Sequence, residues 1–180
     1  MRMRSNKYKL IRFILPLVAV VIIQGCVRDK VGNHSYMQKH NALFEKIDES
    51  ESGIKFSNRV IESDKWNGVK YSYAYNGGGV AIGDLDNDGK QDIVFTSNQE
   101  GPQVYRNLGR MKFEDVTDKS GVNAKEGWTT GVTLADVNGD GWLDIYICKS
   151  GKEGGAIREN KLFINQHDFT FKEEGKEYGL

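Results

Sequence analysis

The sequence is poor in cysteine and proline, and its charges cancel. Only two cysteines, Cys26 and Cys148, occur in 180 residues, so no disulfide framework can form, and the paired Cys and His spacings of zinc sites are missing. The 25 Lys and Arg offset the 25 Asp and Glu and no extended basic tract stands out, which excludes the usual electrostatic footprint of a nucleic-acid binder. Two prolines against 21 glycines, with 38% hydrophobic residues, fit a turn-rich globular chain and not a disordered or collagen-like one. The apolar run from Phe13 to Ile23 is too short for a membrane-spanning helix, which needs about 20 residues. No Ser/His/Asp grouping is visible. His34 and His40 precede the folded body and His167 falls in a turn, while the glycine runs Gly77–Gly79 and Gly154–Gly155 lack the Lys-Ser/Thr of a phosphate loop.

The amino terminus reads as an address. Arg2, Arg4, Lys7, Lys9 and Arg12 precede the apolar run, which ends in Gln24-Gly25-Cys26. This is the basic, apolar, small-residue order of a secretory signal. The Cys directly after Gly25 resembles the lipobox of bacterial lipoproteins, which implies cleavage before Cys26 and a lipid anchor to the membrane through it. The alternative is an ordinary secretory peptide with a coincidental Cys. Cleavage there removes five cations and no acids, leaving the mature chain mildly acidic. Residues 1–25 are thus expected to be a signal peptide. Residues 26–43, polar and without periodicity, suit a flexible tether.

Beyond the tether the chain repeats itself. Gly79–Ile93 matches Gly131–Ile145 at an offset of 52, and Val104-Tyr105-Arg106-Asn107 matches Leu162-Phe163-Ile164-Asn165 at an offset of 58, with the extra residues in a Gly/Lys/Glu-rich insertion around Ser150 to Glu159. A partial third copy comes first: Phe44-Glu45-Lys46-Ile47 with Ser52-Gly53-Ile54 resembles Phe113-Glu114-Asp115-Val116 with Ser120-Gly121-Val122. Alternating runs at about Val80–Leu85, Asp92–Asn98, Gln103–Leu108 and Lys112–Thr117 give four short strands per repeat of about 50 residues, the arithmetic of a propeller blade. The expected fold is all-β, a partial β-propeller of two four-stranded blades plus one orphan outer strand. The divisions are 44–78 for the orphan strand and lead-in, 79–130 for the first repeat and 131–180 for the second. Within it, Cys148 is expected to be a small buried hydrophobe. Tyr71, Tyr73 and Tyr75 would line one strand face, as a packing ladder or a glycan-facing stripe. Trp66, Trp128 and Trp142 could pack between blades or stack on sugars.

The chemistry lies in two acidic loops. Asp84, Asp86, Asp88 and Asp92 occupy positions 1, 3, 5 and 9 of a loop with Gly89 at position 6; Asp136, Asn138, Asp140 and Asp144 repeat it with Gly141. This is the ligand spacing of a calcium loop, in which Lys90 and Trp142 at position 7 can offer their carbonyls. All-oxygen ligands favour Ca²⁺ over zinc or copper. Position 12 holds Phe95 and Ile147, not the bidentate Glu of an EF-hand, so that fold is rejected. Two carboxylates about 4 Å apart repel by roughly 4 kcal/mol at an effective dielectric of 20, so an Asp-rich turn of this density needs a cation.

The segment Tyr75–Asp84 with its loop, followed by Phe113-Glu114-Asp115-Val116-Thr117 and Ser120-Gly121-Val122, resembles FG-GAP/VCBS repeats, the blade unit of integrin-α-like propellers. The lead-in and Asp136–Tyr146 look similar to bacterial lipoproteins of the ASPIC/UnbV-associated class. The resemblance implies that the loop carboxylates bind Ca²⁺ between two strands of a blade. It also implies a longer parent protein with further repeats, or self-association that completes the ring. The expected function is a calcium-stabilised, non-catalytic adhesion or ligand-binding module of a bacterial envelope lipoprotein, anchored in the outer membrane, with a glycan or protein ligand. Alternatives are a fragment of a polysaccharide-acting propeller enzyme and a scaffold subunit of an outer-membrane uptake complex.

Overall fold

A computed structural model describes residues 43–64, 66–151 and 158–180. The signal segment 1–25, Cys26, the tether as far as residue 42, Lys65 and residues 152–157 of the insertion lie outside the described residues. Residues Ile47–Leu180 form one unit.

Eight strands make two sheets. The first holds β1 (Val80–Gly83), β2 (Asp92–Ser97), β3 (Gly101–Gly109) and β4 (Lys112–Asp115); the second holds β5 (Trp128–Ala135), β6 (Asp144–Ser150), β7 (Lys161–Asn165) and β8 (Phe171–Glu173). Within each sheet the strands lie in chain order, β1-β2-β3-β4 and β5-β6-β7-β8, and every pair is antiparallel. The all-β fold with two four-stranded sheets is therefore present, in the meander form of a propeller blade. Turn chemistry explains the reversals. The β3–β4 hairpin closes through Arg110 and Met111, at φ 54° and 58°, the two positive-φ positions of a tight hairpin turn that follows the sheet's twist. The second sheet starts at Trp128 and not at Gly131, because a register shift between Thr129 and Gly131 lets β5 run on beyond its copy in the first sheet.

The apolar alternation of the strands builds the core between the sheets. Val94 and Val104 from the first sheet join Ile145, Ile147 and Phe163 from the second, with Leu85, Val116, Val122, Ala124, Phe169 and Phe171. Each of these side chains but Ala124 contributes about 1.5–3 kcal/mol by leaving water. Close approach of β1 to β5 requires glycine: a Cβ on Gly79 would lie 2.9 Å from the Val132 amide nitrogen. Cys148 is a free thiol of intermediate exposure beside Gly131, not a fully buried one.

The lead-in departs from expectation. No strand forms among the described residues from 43 to 79; in place of the orphan outer strand there is a one-turn helix, α1 (Glu49–Ser52). Phe44 is exposed whereas Phe113 and Phe171 are buried. The repeat is nevertheless real at its corner. α1 ends in Gly53 at φ 78°, and its counterpart α2 (Thr117–Ser120) ends in Gly121 at φ 72°, the left-handed helix stop that glycine adopts without a Cβ penalty. A Cβ on Gly53 would lie 2.5 Å from the Phe113 carbonyl oxygen, and one on Gly121 3.2 Å from that of Phe171. Each corner thus packs on the last strand of the sheet that follows it. Phe56 then stacks on Phe95 at 4.5 Å, and the Lys55 amide donates to the Tyr105 hydroxyl at 3.2 Å, so the lead-in covers the outer part of the first sheet without pairing to it.

The tyrosine ladder is also corrected. Residues 71–76 are turns closed by Ala74 to Tyr71 and Asn76 to Tyr73 backbone bonds, so Tyr73 and Tyr75 are exposed and Tyr71 is buried. Tyr71 and Ala74 pack with Trp128, and Trp66 packs against them, with Trp66 stacked on Trp128 at 4.6 Å. These two tryptophans serve packing.

Candidate metal centre

Both acidic loops join the first and second strands of their sheets, and in both the position 9 Asp is the anchor. Asp92 opens β2 and Asp144 opens β6, each 1% exposed. Asp92 accepts the Leu85 amide at 2.9 Å and the Asn107 amide at 2.8 Å; Asp144 accepts those of Val137 at 3.0 Å and Asn165 at 2.9 Å. Each carboxylate ties its loop to the third strand of its sheet. Burial pushes the Asp92 carboxyl up to about 6, against its two amide donors and with added repulsion from Asp86 and Asp88.

The position 1 Asp organises the turn. Asp84 accepts the amides of Asp88 at 3.1 Å and Gly89 at 2.8 Å. Asp136 accepts those of Gly139, Asp140 and Gly141 at 2.8, 3.1 and 2.9 Å. The position 7 residues enter through their N–H groups, Lys90 to Asp88 and Trp142 to Asp140, both at 2.9 Å.

In the first loop Asp84, Asp86 and Asp88 converge, each offering an oxygen within 4.8 Å of the others. Asp92, expected as a fourth ligand, is not brought into this group, because its oxygens face the backbone of β3 and of the loop. In the second loop Asn138 stands at position 3, and its amide donates to Asp140 at 2.9 Å. Asp140 also meets His167 Nε2 at 3.0 Å, and this contact, above the Trp142 and Asn138 bonds, holds its carboxyl below the usual range. The His167 ring stacks on Trp142 at 4.7 Å, so the third tryptophan sits at the loop and not between sheets.

Two cations crowd the first loop. Lys90 Nζ lies 2.5 Å from Asp88 Oδ2, and this bond chiefly holds the Asp88 carboxyl low. Arg106 Nη2 lies 2.5 Å from Asp86 Oδ2. Yet neither Asp86 oxygen nor Arg106 Nε, all buried, makes a well-aligned hydrogen bond. The short distance records an ion pair without the parallel donors of a good Arg–carboxylate fork. A desolvated carboxylate so poorly matched fits a hard cation, as does the all-oxygen donor set.

Asn165 links the loops: its side-chain amide donates to the carbonyls of Leu85 at 2.8 Å and Leu143 at 3.1 Å. The Asn87 side chain reaches Gly141 at 3.3 Å. Sequence reasoning missed Arg106, His167 and the paired Asn107 and Asn165. The two asparagines were signalled by their identity across the repeat.

Residues 84–147 match the model of the FG-GAP-like repeat. Among known proteins, the chain is similar to cartilage acidic protein 1 of Xenopus tropicalis, 40% identical over 73 residues that cover 39% of this chain and 11% of the relative. It is also similar to the Homo sapiens protein of that name, 38% identical over 73 residues with the same coverage. The match thus spans about a tenth of the length of these relatives. The matched segment, Asp84 to Ile147, contains both acidic loops.

Proposed function

We propose that this chain is part of a calcium-stabilised propeller module that acts by binding or adhesion and not by catalysis, carried on a bacterial envelope lipoprotein anchored through Cys26. The observation that carries the calcium reading is the convergence of Asp84, Asp86 and Asp88 with Asp86 Oδ1 buried and without a hydrogen-bond partner. Asp84, Asp86 and Asp88 would hold the ion in the first loop, and Asp136, Asn138 and Asp140 in the second, with Asp92 and Asp144 fixing the loops from behind. A bound Ca²⁺ supplies charge neutralisation and no redox chemistry. Extracellular modules bind at about 10⁻⁴–10⁻³ M, so the ion is a constitutive clasp that holds the strand ends of neighbouring sheets in place for a glycan or protein ligand.

The test is thermal unfolding of the full chain in calcium and in chelator. At free calcium a hundredfold above Kd, one site adds about 2.7 kcal/mol, a rise of several degrees. Asp88→Ala should remove most of the first loop's share while shifting the melting curve little in chelator. Identical wild-type curves with and without calcium would refute the clasp. The anchor is tested separately: metabolic labelling with radioactive palmitate should mark the wild type and leave Cys26→Ser unlabelled, and equal labelling of both would sink it.

A further inference from the structure

The two loops differ in a correlated way. At position 3 the first has Asp86 and the second Asn138; at the matching place on the third strand the first sheet has Arg106 and the second Ile164. At position 7 the first has Lys90 and the second Trp142. The charge that the second loop lacks and the cations that it lacks are absent together. Arg106 reaches the β7–β8 connection as well, with its guanidinium 5.6 Å from the ring centre of Phe169, a contact that favours a planar cation and does not depend on Asp86.

We propose that Arg106 is a built-in competitor of the metal in the first loop, holding Asp86 when no divalent ion is present and leaving it when one binds. This rests on the calcium reading above. Asp86 is the group that both cations need. Its side chain is 11% exposed whereas that of Arg106 is 39% exposed, so the arginine can withdraw toward solvent while the carboxylate stays. The pair is close but made through one guanidinium nitrogen and one carboxylate oxygen, which leaves Asp86 Oδ1 and Arg106 Nε buried without a hydrogen-bond partner. A divalent ion ligated by Asp86 would stand within a few ångströms of the guanidinium and repel it. Lys90 on Asp88 acts in the same sense from the more exposed side. The first loop therefore stays closed without metal and takes metal more weakly than its four acids suggest, while the second, whose Asp140 meets His167, has no counterpart of Arg106 at position 3.

The test is calorimetric calcium titration and thermal unfolding of the full chain as wild type, Arg106→Gln, Arg106→Ile and the double variant Asp86→Asn with Arg106→Ile, which copies the second loop. Arg106→Gln keeps most of the side chain's length and guards against a loss of folding in Arg106→Ile. Both single variants should bind calcium at the first loop about tenfold more tightly, melt lower in chelator, and show a wider gap between calcium and chelator. The double variant should lose that gain. In the wild type, the Arg106 Nε–H resonance should move on calcium addition. If the single variants fall equally in calcium and chelator with affinity unchanged, or the resonance stays fixed while calcium binds, Arg106 is a plain structural partner and the inference fails alone. A wild type that neither binds calcium nor gains stability from it overturns the calcium reading and this inference together.

Discussion

Asn165→Ala is expected to cost about 2–4 kcal/mol. Asn165 is 2% exposed. Its amide satisfies the Leu85 carbonyl of the first loop and the Leu143 carbonyl of the second, and its side-chain oxygen accepts the His167 amide at 2.9 Å. Alanine leaves these groups without partners, at about 1–3 kcal/mol for each that stays buried and dry. For a domain of this size each kcal/mol moves the melting temperature by roughly 2–4 °C, so a fall of about 5–15 °C is expected. Asn107→Ala is the built-in comparison. Asn107 is only partly buried, and its amide donates to the exposed Gln91 carbonyl at 2.8 Å, which water can satisfy. The loss there should be under about half as large. Equal effects of the two alanines in a melting experiment would show that the bridge between the loops carries no stability.

The second large effect is expected at the entrance to β1. A Cβ on Gly78 would fall 1.7 Å from the Thr96 carbonyl oxygen and 2.8 Å from its carbon. Thr96 cannot give way easily, because its hydroxyl accepts the Gly79 amide at 2.7 Å and its amide donates to Gly79 at 2.9 Å. Overpacking typically costs about 1–3 kcal/mol, and a clash with pinned backbone belongs at or above the top of that range. Gly77→Ala meets open space but needs φ 84°, for which a penalty of about 1–2 kcal/mol is expected. Denaturant midpoints that rank Gly77→Ala as the worse variant would contradict this packing.

Much of the first sheet was legible because alternation and repetition point the same way. The sequence places strands at Val80–Leu85 and Asp92–Asn98, and the structure has Val80–Gly83 and Asp92–Ser97, each pair agreeing at its start. Likeness misled where it stood alone. Phe44–Ile54 copies the residues of a strand and its corner, but a strand exists only by pairing, and only the corner, whose glycine carries its own conformational signal, survived. Tyr71, Tyr73 and Tyr75 alternate as strand residues do, yet local backbone bonds make them a turn. In the metal centre, spacing identified the three converging carboxylates. It could not give the direction of Asp92, which the pleat turns toward backbone amides, nor find Arg106 and His167, which the strand register delivers from elsewhere in the chain.

The hooks made by Gly53 over Phe113 and by Gly121 over Phe171 mean that the modular unit of this chain is out of phase with its sheets. A fragment cut to begin at Val80 would keep all four strands of the first sheet and yet strip the cover from Phe95 and Tyr105. Any recombination or shortening of such units preserves its seams only when the joint falls ahead of a corner glycine, so that each sheet travels with the clip contributed by its predecessor.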